Sequence, residues 1–210
     1  MKTEKVKSRK LTNGIWDEFV IDSLIDKICL SGDDAANKFD KLLSRITEKR
    51  FEYFVFLIDT IRLFGGRTEF AHASDFDANE ISEEYVYMEG NHGVEGAYHD
   101  SDSWIVIPLD RHSNWKSLET TLQHEAIHLL QHAVNRDSVG CDGMICDKVR
   151  WGSWLANALR NDWADDDDPL PLHEREAYTL MSWKATFKDW AEEVFSRALW
   201  TGWSCEVYSD

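Results

Sequence analysis

The chain has 210 residues, enough for one domain with a sizeable core, and its 43% hydrophobic and 30% charged residues are those of an ordinary globular protein. A formal net charge of -16 repels phosphate backbones, which argues against nucleic acid as a partner and suits basic peptides or simply a solvated surface. No apolar stretch reaches the length needed to span a bilayer, and no apolar run of the signal-peptide kind follows the Lys-rich start. The expectation is a cytoplasmic protein without a membrane partner, with Cys29, Cys141, Cys146 and Cys205 as reduced thiols.

In chain order, residues 15–30 read as an amphipathic helix, with Ile15, Trp16, Phe19, Val20, Leu24 and Ile25 interrupted by Asp17, Glu18, Asp22 and Asp26. Ser31-Gly32-Asp33-Asp34 reads as a break. A longer helical stretch follows, broken near Thr47, and stops at Gly65-Gly66. Residues 67–109 change character. Segments 84–88 and 104–108 are short and rich in Val, Ile and aromatics, with turn material at Asn91-His92-Gly93 and 99–102 between them, so a small sheet is expected.

Helical periodicity returns over 115–135. A loop with Gly140 and Gly143 precedes a helix over about 147–160. The four Asp at 165–168, next to Pro169 and Pro171, belong to an exposed loop, because neither the charge run nor the prolines fit a helix interior. Residues 172–200 read as helix, in one or two pieces. Many of the ten Trp fall after Trp115, so the C-terminal half should be built around large aromatic side chains. The organisation expected is a helical N-terminal extension, 1–66, packed on a core of 67–210.

The chemistry concentrates in His124-Glu125-Ala126-Ile127-His128. On a helix, histidines four apart project from one face, so both imidazoles reach one tetrahedral ion. Glu125 sits about 100° round the helix from His124, beside the ion, where a base can take a proton from an activated water. The surroundings fit a site. Ser117, Thr120, Thr121, His124, Glu125, His128, Gln131, His132 and Asn135 share one polar arc about 140° wide. The rest of the helix is apolar apart from Glu119 and Gln123. A solvated helix would carry long charged residues on that stripe; His, Thr, Gln and Asn suit a cleft. The bland alternative is two unrelated histidines on a half-exposed helix.

A catalytic zinc takes three protein ligands and keeps a position for water, so a third ligand must come from elsewhere. His132 lies one turn too far along the helix to share the ion. Val134 stands where a metzincin places its third His, which excludes that class. Downstream, His173-Glu174-Arg175-Glu176-Ala177-Tyr178 opens a helix. With this segment, and Gln131 completing His-Glu-x-x-His-x-x-Gln, the chain over roughly 85–185 resembles the gluzincins, the thermolysin-like zinc peptidases. The resemblance implies an α+β, zincin-like fold: a small twisted sheet packed on the active-site helix, with further helices on either side in sequence. It implies Zn2+ held by His124, His128 and Glu174, with Tyr178 bracing the site. It also implies an extended substrate bound along a strand, for which 96–98 and 103–107 are the expected segments, although an ordinary core strand explains them as well.

Glu176 is the rival ligand. It points roughly 160° away from Glu174, so only one of the two can bind. Acidic residues in a first helical turn are also favoured by the helix dipole alone. The function expected is hydrolysis of peptide bonds in a peptide or protein substrate, with Glu125 as general base. Tyr178, His132, His173 and Arg175 are the candidate donors to the oxyanion. Two rivals stand beside it: a zinc-binding interaction or regulatory module that does not cleave, and an acidic interaction protein in which the motif is accidental.

Overall fold

A computed structural model of the chain describes residues 18–72, 95–135, 143–161 and 170–200. In these residues the chain forms α1 (Glu18–Ile25), β1 (Cys29–Leu30), α2 (Gly32–Leu43), α3 (Glu48–Leu63), β2 (Arg67–Ala71), β3 (Ala97–His99), β4 (Trp104–Pro108), α4 (Trp115–Asn135), α5 (Ser153–Asn161), α6 (Leu172–Leu180) and α7 (Lys184–Trp200). The class is α+β. The strands make one mixed sheet in the order β1-β2-β4-β3. β2 lies parallel to both β1 and β4. β3 folds back antiparallel on β4, with Ala97 opposite Val106 and His99 opposite Trp104. Ile105, Val106 and Ile107 are all buried, the continuous apolar run expected of a strand covered on both faces.

The helix expected over 15–30 ends early. The chain turns at Lys27 and Ile28, whose N–H groups bond Leu24 and Ile25 carbonyls, and Cys29–Leu30 then pairs with Glu69 and Phe70 of β2. Edge pairing with a strand far along the chain overrides a local helical pattern. The expected break at 31–34 is the start of α2, with Asp33 and Asp34 in its first turn, where the dipole favours them. The break near Thr47 and the stop at Gly65-Gly66 appear as read. The helix expected from about 147 begins at Ser153 instead. Ahead of it, Ile145–Asp147 forms a 3-10 turn, and Gly152 lies so close to Cys146 that a Cβ would fall 2.2 Å from the Cys146 carbonyl oxygen. Residues 172–200 are two helices, α6 and α7. Segments 84–88 and 165–168 lie outside the described residues.

α4 is central. It packs against β3, β4, α3, α6 and α7. Leu118, Leu122, Ala126, Ile127, Leu129 and Leu130 are buried along it, and each side chain of the Leu or Ile kind contributes about 1.5–3 kcal/mol. Its first residue, Trp115, is anchored in an aromatic cluster. The Phe54 ring meets it edge-on with centroids 4.8 Å apart, and Phe39 and Phe70 lie within 6.2 Å of one or both. One buried cluster thus runs from α2 and α3 through the sheet to α7. Among the described side chains after Trp115, Trp190 is in the core, while Trp151, Trp154 and Trp183 are exposed. Among the described residues no helix is long and apolar enough to cross a membrane.

Phe54 joins α3 to the start of α4, and its truncation tests that anchor. Phe54→Ala is expected to cost about 3–5 kcal/mol of unfolding free energy, read as a lower urea midpoint with an unchanged slope. A loss below about 1 kcal/mol would show that the cluster does not hold α4.

Candidate metal centre

The i, i+4 spacing on α4 brings His124 and His128 side by side, with their Nε2 atoms 3.1 Å apart. α6 carries Glu174 across from them. One carboxylate oxygen lies 3.5 Å from His124 Nε2 and the other 3.4 Å from His128 Nε2. Among the described residues these three form a cluster with one ligand atom from each within 4.8 Å of the others. A tetrahedral zinc with donors at about 2.0–2.1 Å has donor–donor edges of about 3.3–3.4 Å. The two Glu174 contacts use different carboxylate oxygens, so the cluster brackets an ion without setting all three edges on single donor atoms, and two imidazoles with a carboxylate are a donor set that fits a divalent metal such as zinc.

The two glutamates of α6 separate cleanly. Glu176 is fully buried and faces away from the cluster. It accepts hydrogen bonds from the Ile145 N–H at 2.8 Å, the Cys146 N–H at 2.7 Å and Gln131 Nε2 at 2.8 Å. Burial pushes its pKa up, against those donors. Glu174 is the opposite case. Burial would raise it, but His124 and His128 outweigh that and hold it well below the usual carboxylate range. Burial also opposes protonation of His128, yet Glu174 and Glu125 prevail and raise its pKa.

Glu125 is 5% exposed, and burial raises its pKa even though His124 and His128 pull the other way. Its Oε1 would lie 3.1 Å from a Cβ on Gly96, the residue that leads into β3. A Cβ there would also fall 2.6 Å from Thr121 Cγ2 and 2.8 Å from Ile107 Cδ1, so glycine lets the backbone pass between these side chains beside the carboxylate. The Tyr178 ring stacks at a tilt against His124, with centroids 4.7 Å apart, and the side chain is 39% exposed. Burial first, then Glu174, Glu125 and Glu95, raises its pKa, so the hydroxyl keeps its proton.

The other candidate donors fall unevenly. His173 Nε2 is 3.9 Å from Glu174 and its ring is 5.9 Å from that of His128. His132 bonds the Tyr98 hydroxyl at 2.7 Å, outside the cluster. Arg175 is buried, with its guanidinium turned to the Leu170 and Leu159 carbonyls and not to the histidines. Cys146 is buried beside Met144, and Cys141 lies outside the described residues.

Sequence reasoning named Gln131 as a motif position but not its contact, and did not name His112 or Glu95. Gln131 bonds His128 Nδ1 at 2.8 Å, a contact that its i+3 spacing allows. His112, wholly buried, bonds Ser117 on α4 and the Glu95 carbonyl, while burial lowers its pKa. Glu95 itself accepts from Thr121 Oγ1 at 3.3 Å. No pattern in the sequence ties His112 or Glu95 to this centre. Compared with known family models, curated proteins and solved structures, the chain matches none.

Two outcomes follow from this geometry. Glu174→Gln is expected to weaken zinc binding by at least about 10-fold, and Glu176→Gln to leave it nearly unchanged while costing about 1–3 kcal/mol of stability through an unsatisfied N–H. Chelator competition and urea unfolding read the two effects, and the reverse ordering for zinc would reassign the ligand. An ion held by these residues would compete with the proton of His128, whose pKa is raised. Affinity should therefore be full at alkaline pH and begin to fall, as pH drops, above the ordinary histidine value of about 6.5. A titration flat from pH 8 to pH 5 would rule this out.

Proposed function

We propose that the protein is a zinc-dependent metallopeptidase with a zincin-like core of the gluzincin type. The observation that carries the reading is the His124, His128 and Glu174 cluster, with one ligand atom from each within 4.8 Å of the others, and the buried carboxylate of Glu125 beside it on the same helix. His124, His128 and Glu174 would hold the ion, which when bound acts as a Lewis acid that lowers the pKa of water and polarises the scissile carbonyl. Glu125 accepts the proton of the attacking water and passes it to the leaving amine. Its raised pKa suits that exchange, since the best acid–base catalyst titrates near the working pH. Tyr178, protonated and partly exposed against His124, is the donor best placed to face a developing oxyanion; His173 is the alternative.

The sheet supports a polypeptide substrate. Among the described residues β3 pairs on one side only, with β4, and its approach at Gly96 runs against Glu125. An extended chain added to that edge would make main-chain hydrogen bonds next to the base. The metal-binding module that does not cleave keeps the three ligands equally well, and activity separates it from the peptidase.

Glu125→Gln keeps the shape of the side chain but cannot take the proton. Zinc content should stay near one per chain while cleavage of an unfolded polypeptide library falls by about 10²-fold or more. Chelator-treated wild type is the blank. Wild-type cleavage that survives both the chelator and Glu125→Gln would place the activity elsewhere, and a zinc-loaded wild type inert across the library would favour the binding module.

A further inference from the structure

We propose that Gln131 is a positioning residue for the metal centre: its amide is locked so that His128 keeps a proton on Nδ1 and turns the Nε2 lone pair toward the ion. The inference rests on His128 being a ligand, as proposed above. The lock is read from acceptors. Gln131 Nε2 donates to Glu176 Oε2 at 2.8 Å and to the His173 carbonyl at 2.8 Å. The Glu176 carboxylate is fixed independently, by the N–H groups of Ile145 and Cys146. Turning the Gln131 amide over would press its oxygen against these two acceptors, so Oε1 must face His128.

An amide oxygen has no proton to give, so at 2.8 Å the Nδ1 of His128 must be the donor. In the neutral ring that leaves Nε2 bare. Gln131 is 2% exposed and Glu176 fully buried, so water does not compete for these positions. His124 lacks such a guide, because its Nδ1 is buried with no hydrogen-bond partner among the described residues. Orientation at the centre therefore enters through His128, from a buried carboxylate two residues past Glu174 on α6.

The experiment reads the His128 tautomer by imidazole nitrogen NMR in zinc-free protein, at a pH where the ring is neutral. It also reads zinc affinity by competition with a chromophoric chelator. Wild type should carry the Nδ1 proton. Gln131→Leu should shift the ring toward the Nε2–H form and lower zinc affinity by about 10–100-fold, the range for lost partners behind a ligand. Glu176→Gln can keep its remaining oxygen on Gln131 and the Ile145 N–H. It should lower the Tm of the zinc-free protein yet leave tautomer and affinity near wild type, which a purely structural role for the network would not do. A neutral His128 with its proton on Nε2 in wild type overturns the proposal even if Gln131→Leu does not fold. So does a folded Gln131→Leu with unchanged tautomer and affinity. A wild type that takes up no zinc overturns the metal reading itself, and this inference with it; zinc binding that is indifferent to Gln131 overturns this inference alone.

Discussion

Three lone-pair donors held within 4.8 Å of one another repel unless a cation or protons lie between them. The fold is arranged to impose that crowding. His124 and His128 need only helix geometry to meet, but Glu174 must be delivered from α6 and kept there. Two glutamines of α4 do this from either side of the histidines. Gln131 donates to the His173 carbonyl at one end of α6, and Gln123 donates to the Leu180 carbonyl at the other, 2.6 Å away. The pairing of 131 with 173 and of 123 with 180 runs the two helices antiparallel, with Glu174 and Tyr178 between the clamps and opposite the histidines.

Burying so many polar groups is destabilising unless each finds a partner. Most do. Gln123 also accepts from the Tyr53 hydroxyl of α3 at 2.7 Å, and Glu119 pairs with Lys184 of α7, whose ammonium lies over the Tyr53 ring. The two residues that spoil the apolar arc of α4 in the sequence are thus its ties to α3, α6 and α7. Asn135 closes the far end by donating to the Gly143 carbonyl at 2.9 Å. The site helix is held by hydrophobic packing along its length and by directional bonds at chosen points, and the directional bonds set its register against α6.

What was legible in the sequence was local. The limits of α4, the glycine stop after α3 and the i, i+4 histidines are all contained in short windows, and helix periodicity reads them directly. That Glu174 and Glu176 diverge also follows from helix geometry alone. What could not be read was tertiary. β1 is two residues whose strand state exists only because Glu69 and Phe70 lie beside them. The start of α5 depends on Gly152 fitting against Cys146, and the histidine His112 looks like any other until Glu95 and Ser117 surround it. Gln131 was visible as a motif position, but its task depends on which of its ends meets which partner, and that is decided by α6.

Three glutamates near one cluster meet three different surroundings, which suit them to the three roles proposed. Glu174 faces two imidazoles, which outweigh its burial and keep it anionic, the state a ligand needs. Glu125 lies against Gly96, just ahead of β3; the same imidazoles reach it too weakly to offset burial, so its proton affinity rises, as the proposed base requires. Glu176 is turned from the ion altogether and spends its oxygens on N–H donors that fix Gln131 and the Ile145–Asp147 turn. Divergent environments acting on one residue type set apart the proposed ligand, the proposed base and the scaffold. Exchanging Glu174 and Glu125 in these roles would demand an anion without cationic neighbours and a base clamped by two histidines. The direction of each shift therefore argues for the same assignment as the distances do.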